Sequence, residues 1–122
     1  MIGYVTLGTD DLARAGAYYD ELLGTLGARR LMQEDRFIAW SSGPGRTVLC
    51  VFLPFDRRPA SPGNGTMVAL AVESPEAVRA LHAQALSLGS ADEGTPGPRP
   101  NGFYAGYFRD LDGNKLNVFC RT

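Results

Sequence analysis

Apolar and polar positions along this chain change period in a fixed order, and the order occurs twice. In YVTLG, Val5 and Leu7 alternate with Tyr4 and Thr6, which predicts a strand with one apolar face. The period then lengthens: Leu12, Ala15, Tyr19, Leu22 and Leu26 recur at helical spacing, with Thr9 or Asp10 as the expected N-cap and Gly27 as the stop. Three short runs follow, ARRLMQ, RFIAWSS and TVLCVFLP, each strand-like and bounded by turn residues. The second copy begins at Thr66. Val68, Leu70 and Val72 alternate with Met67, Ala69 and Ala71; Ser74 and Pro75 open a helix whose buried stripe is Val78, Leu81, Ala85 and Leu88; Gly89 closes it. A short extended piece is expected near residues 90–93, followed by FYAGYFRD and KLNVFCRT. The DLDGN between those last two reads as a hairpin turn, with Gly113 at its positive-φ position.

The offset between the copies is about 63 residues. This predicts an α+β fold: two strand-helix-three-strand modules, 1–53 and 65–122, forming curled half-barrels around a cup within a single domain over 1–122. The Pro- and Gly-rich PFDRRPASPGN, 54–64, is the connector, and its prolines favour an extended path.

Composition narrows the range of functions. At 122 residues and 44% hydrophobic, the chain can bury one modest core. Twelve basic and 13 acidic residues are scattered to a net charge of -1, which leaves no stripe for nucleic acid or an anionic membrane surface. No run approaches the roughly 20 apolar residues of a membrane span, and the start MIGYVTLG lacks the pattern of a secretory leader, so a cytoplasmic location is expected. Cys50 and Cys120 lie in strand-like runs without metal or redox spacing and read as buried free thiols.

The paired modules, with DDLARAGAYYDELLG, GNGTMVAL and YFRDLDGNKLNVFC, resemble the vicinal oxygen chelate superfamily, the glyoxalase, bleomycin-resistance and dioxygenase fold. The resemblance implies a cup lined by strand faces, with metal ligands on the first and last strand of each module where members use a metal. Carried over by position, those slots are Tyr4 and Cys50 in the first module and Met67 and Asn117 in the second. None is His or Glu, so neither the imidazole nor the carboxylate that a hard or borderline divalent ion prefers is present, and no metal and no cofactor is expected. Two soft sulfurs without motif spacing are a poor copper site. The only histidine, His82, is expected on the flank of the second helix.

The acidic residues have structural places: Asp10, Asp11, Glu73 and Glu76 at helix starts, Glu34 and Asp35 at a hairpin tip, Asp110 and Asp112 in the last turn. On the final strand Lys115, Asn117 and Phe119 alternate with Leu116, Val118 and Cys120, which places the first three on the cup side. The expected ligand-binding set is Tyr4, Trp40, Cys50, Phe52, Met67, Arg99, Tyr104, Tyr107, Lys115 and Asn117. It suits a small organic molecule. The competing expectations are a glyoxalase-like lyase or dioxygenase, which the substituted ligand slots disfavour, and a non-catalytic interaction module. The resemblance also implies a homodimer.

Overall fold

The computed structural model describes all residues 1–122. The chain divides into two compact units, Met1–Pro62 and Gly63–Thr122. The first runs β1 (Tyr4–Gly8), α1 (Leu12–Gly24), β2 (Arg29–Gln33), β3 (Phe37–Ser41) and β4 (Val48–Phe52). The second runs β5 (Val68–Ala71), α2 (Pro75–Ser87), β6 (Ala91–Arg99), β7 (Phe103–Arg109) and β8 (Lys115–Arg121). Each unit is one four-stranded sheet of the same topology, β1-β4-β3-β2 in one and β5-β8-β7-β6 in the other. In both, the first strand lies parallel to the last and the remaining pairs are antiparallel. The repeat in the sequence is a repeat of architecture.

Each helix covers one face of its own sheet. Under α1 the buried layer is Tyr18, Tyr19, Leu22 and Leu23 against Ile38, Trp40, Leu49 and Val51. Under α2 it is Val78, Leu81 and Ala85 against Phe108, Leu116 and Val118, of which Val78, Phe108, Leu116 and Val118 are 0% exposed. Burying one such side chain contributes about 1.5–3 kcal/mol, so these layers dominate the stability of each unit. No helix is long and apolar enough to cross a membrane.

Three local readings are revised. The cap of α1 is Asp11, whose carboxylate accepts the Arg14 N–H at 3.0 Å, rather than Thr9 or Asp10. Thr9 is instead fully buried, its hydroxyl accepting the Asp11 N–H and donating to the Asp11 carbonyl. The same helix ends at Gly24 with Thr25 as its C-cap, and Gly27 stops it as expected, at φ +78° with its N–H donated to the Gly24 carbonyl and the Ala28 N–H to the Leu23 carbonyl. The extended piece near 90–93 is in fact the nine-residue strand β6. It tolerates Pro96 and Pro98 because it is an edge strand, and its register slips between Asp92 and Gly94 and again between Gly94 and Gly97. The connector, finally, is tied to the first unit: Arg36 donates to the Pro54 carbonyl at 2.7 Å, and the Ala60 N–H reaches the Asp10 carboxylate at 2.7 Å.

The last turn forms as expected. Gly113 has φ of +87°, and Asp110 accepts the N–H groups of Asp112 and Asn114 while the Asn114 side chain donates to its other oxygen. That turn fixes where β8 begins, and with it the face on which Asn117 falls.

Candidate functional site

Strand alternation gives each sheet a second face, away from its helix, and the two second faces differ in chemistry. In the first unit this face carries Tyr4 and Thr6 on β1, Phe37 and Ala39 on β3, and Cys50 and Phe52 on β4. Phe37 and Phe52 are register partners and stack at 4.6 Å. Cys50 is 6% exposed, and burial pushes its thiol above the ordinary range, so it is held as a neutral thiol. On β1, β3 and β4 this face is aromatic and uncharged, and Arg29 of the edge strand β2, the register partner of Ser41, stands at its rim.

In the second unit the corresponding face carries Lys115, Asn117, Phe119 and Arg121 on β8 and Phe103, Ala105, Tyr107 and Arg109 on β7. Asn117 is paired in register with Tyr107 on one side and Ala69 on the other. It is 7% exposed, and no protein group donates to its side-chain carbonyl oxygen. Two cations approach the Tyr107 ring, the Arg99 guanidinium at 5.4 Å and the Lys115 ammonium at 5.5 Å from its centroid. Gly94 makes room for that ring: a Cβ there would sit 2.9 Å from Tyr107 Cδ2. Of the four cations on this face and its β6 edge, Arg109 alone is ion-paired, to Glu93 at 2.6 Å. Arg121 lies over the Phe103 ring at 4.7 Å.

Of the residues expected to line a ligand site, Arg99, Tyr107, Lys115 and Asn117 are brought together in the second unit. Tyr4, Cys50 and Phe52 share a face in the first, while Met67 immediately precedes β5 and is exposed. Two expectations are corrected. Trp40 lies under α1, its indole N–H donating to Asp20 at 2.9 Å and its ring against Tyr19 at 5.5 Å. Tyr104 lies on the α2 side, where Arg79 donates to its hydroxyl at 2.9 Å. The reason is the same in both cases: a large side chain with one polar tip finds its partner on the covering helix. Phe37 and Gly94 were missed. The alternation Phe37, Ala39, Ser41 in RFIAWSS is a signal for the first, but nothing local marks the second.

His82 is buried beneath the second sheet rather than on a flank. Its Nε2 lies 3.1 Å from Asp92 Oδ1 and 3.1 Å from the Tyr107 carbonyl oxygen, both acceptors, so Nε2 carries a proton. This ties α2 to the β6 slip and to the backbone of Tyr107. The Asp92 carboxyl is held below its ordinary range, first by the Gly94 N–H and then by His82. In the first unit Asp20 plays a related part: Arg30 grips it with two bonds of 2.9 Å, and that hydrogen bonding, more than the Trp40 N–H, lowers its pKa.

Two hollows open in the first unit, one of about 520 Å³ beside Asp20, Gly27 and Trp40, the other of about 390 Å³ between Thr6, Phe52 and the connector. Shape alone does not make either a site. The Asp20 carboxylate beside the first hollow is taken by Arg30 and Trp40; at the second, Asp56 accepts the Arg58 N–H.

A divalent metal of the kind many proteins of this fold use does not fit the donors present. The four slots offer a phenol, a neutral buried thiol, a thioether and an amide, and no group of three or more His, Cys, Asp or Glu side chains is placed to hold an ion.

Comparison with known proteins agrees with the fold. The model of the Glyoxalase/Bleomycin resistance protein/Dioxygenase superfamily matches residues 1–118. A glyoxalase/bleomycin resistance protein from Albidiferax ferrireducens is 33% identical, with a TM-score of 0.89, over 100% of this chain and 99% of that one. A glyoxalase-related enzyme from Fulvimarina pelagi is 22% identical, with a TM-score of 0.80, over 99% and 88% of the two chains. The lactoylglutathione lyase from Agrobacterium tumefaciens is 21% identical, with a TM-score of 0.74, over 98% and 92%. No curated protein matches the chain.

Proposed function

Because the chain belongs to the glyoxalase/bleomycin resistance protein/dioxygenase superfamily, we propose that it binds a small organic molecule, without a metal, on the open sheet face of its second unit. One observation carries this reading: the side-chain carbonyl of Asn117 is buried and receives no hydrogen bond. Leaving such an acceptor unsatisfied costs about 1–3 kcal/mol, which a plain core position would not retain. A ligand that offers an N–H or O–H recovers that energy. The Tyr107 and Phe119 rings beside Asn117 supply apolar area on which an organic skeleton can lie.

The test is a thermal-shift screen of small molecules with and without divalent metals, since whatever binds the native state raises its apparent stability. Binding is expected to be independent of added metal. Asn117→Ala is expected to weaken a hit by about 0.5–1.5 kcal/mol, as loss of a neutral hydrogen bond does. Unchanged affinity in that variant counts against the site. Stoichiometric zinc, iron, nickel, manganese or copper in protein purified without chelator counts against the metal-free reading.

A further inference from the structure

We propose that the molecule taken by this face is a small organic anion, held through its carboxylate or similar anionic group by Arg99 and Lys115 while its own N–H or O–H satisfies Asn117. The inference rests on the small-molecule reading above and adds the charge of the ligand. Arg99 and Lys115 approach one ring, Tyr107, from two strands, at 5.4 and 5.5 Å. Tyr107 is the register partner of Asn117, and opposed side chains in such a pair have Cβ atoms about 4.5–5.5 Å apart. Two cations and one orphan acceptor are thus neighbours of a single aromatic side chain.

Neither cation is neutralised. The ion pairs of this unit are Arg79 with Glu76, His82 with Asp92, and Arg109 with Glu93, and the last occupies the carboxylate that lies closest along β6. Arg99 is also held in place, donating to the Thr95 carbonyl at 2.8 Å and to the Pro98 carbonyl at 3.1 Å. Two of its five N–H groups are thereby committed, which fixes the guanidinium and leaves the others for a planar anion. Both cations are half-buried, so their charge is less screened than that of a freely solvated side chain. A cationic ligand would be repelled here. A neutral one would leave the two charges unmatched.

Matched probes distinguish the possibilities: para-hydroxybenzoate, its neutral methyl ester, para-hydroxybenzylamine and a short oligouridylate, each titrated at up to millimolar concentration while the backbone amide resonances of Tyr107 and Asn117 are followed by NMR. The carboxylate is expected to bind about tenfold more tightly than the ester, the difference between a charge-assisted and a neutral hydrogen bond. That preference is expected to disappear in Arg99→Gln and Lys115→Gln and to shrink with added salt. Equal binding of acid and ester, or better binding of the amine, overturns the anionic class and leaves the small-molecule reading standing. Oligouridylate binding more tightly than the acid overturns both in favour of single-stranded nucleic acid. An absence of shifts at Tyr107 and Asn117 with every probe overturns both as well.

Discussion

The two units share one topology and one way of covering a sheet with a helix, yet their open faces differ in chemistry. In the first, Phe37 stacks on Phe52 beside a neutral, buried Cys50. In the second, the open face carries Tyr107 with two cations near its ring and an amide whose side-chain oxygen is left without a protein partner. The helix-covered faces are alike because both must exclude water to fold. The open faces are free to differ because topology constrains only which residues point outward, not what they are. Function on this scaffold is therefore to be sought in the difference between the units, not in what they share.

The covered layers should behave as equals. Trp40→Ala and Phe108→Ala each remove a large, fully buried side chain, and each is expected to cost about 3–5 kcal/mol by denaturant unfolding. A markedly smaller cost in one would show that the units are not equivalent in the way their architecture suggests. Next in size, Asp110→Ala strips the final turn of a carboxylate that accepts three hydrogen bonds, with an expected loss of about 1–3 kcal/mol. The expected sign reverses at Asn117. Replacing it by Leu exchanges an unsatisfied buried amide for an apolar side chain of similar volume, and stability is expected to rise by about 1 kcal/mol while ligand binding is lost. The equivalent Cys50→Val should leave stability nearly unchanged, since the thiol is already a satisfied apolar group. A loss of stability in Asn117→Leu would mean that the amide is structural.

The smallest effect is in the acid limb. Asp20 is held below its ordinary range mainly by the hydrogen bond from Arg30, so the folded state binds that proton less readily than the unfolded chain. Its contribution is present above the ordinary carboxylate pKa, about 3.9, and is lost as pH falls through the depressed folded value. Asp20→Asn should flatten the fall in stability over that window, as read from unfolding curves at a series of acid pH values. Asp92, lowered first by the Gly94 N–H, should act in the same direction in the other unit. Both groups are partly exposed, which keeps these effects modest.

Much of the fold could be read directly from the chain. The change from period two to helical spacing, repeated after about 63 residues, located both helices and the strands around them. Ser74 with Pro75 marked one helix start correctly, and Gly113 marked the final turn. The errors lay where local rules compete. Thr9, Asp10 and Asp11 can all cap a helix, and burial of Thr9 decided among them. A short extended piece is expected near residues 90–93, and its place at the sheet edge is what lets the strand run on through Pro96 and Pro98.

For the candidate site, alternation along KLNVFC was enough to set Lys115, Asn117 and Phe119 against Leu116, Val118 and Cys120, because neighbouring strand residues point to opposite faces. By itself, then, the sequence determined the two modules, the side of β8 on which Asn117 lies and the absence of histidine and carboxylate from the four slots. Only the tertiary structure decided that Trp40 and Tyr104 turn to the helices, that Arg99 and Lys115 both approach the Tyr107 ring, and that no protein group donates to the side-chain oxygen of Asn117. Those facts depend on register between strands distant in the chain, and register is set by the packing of whole elements rather than by any local pattern.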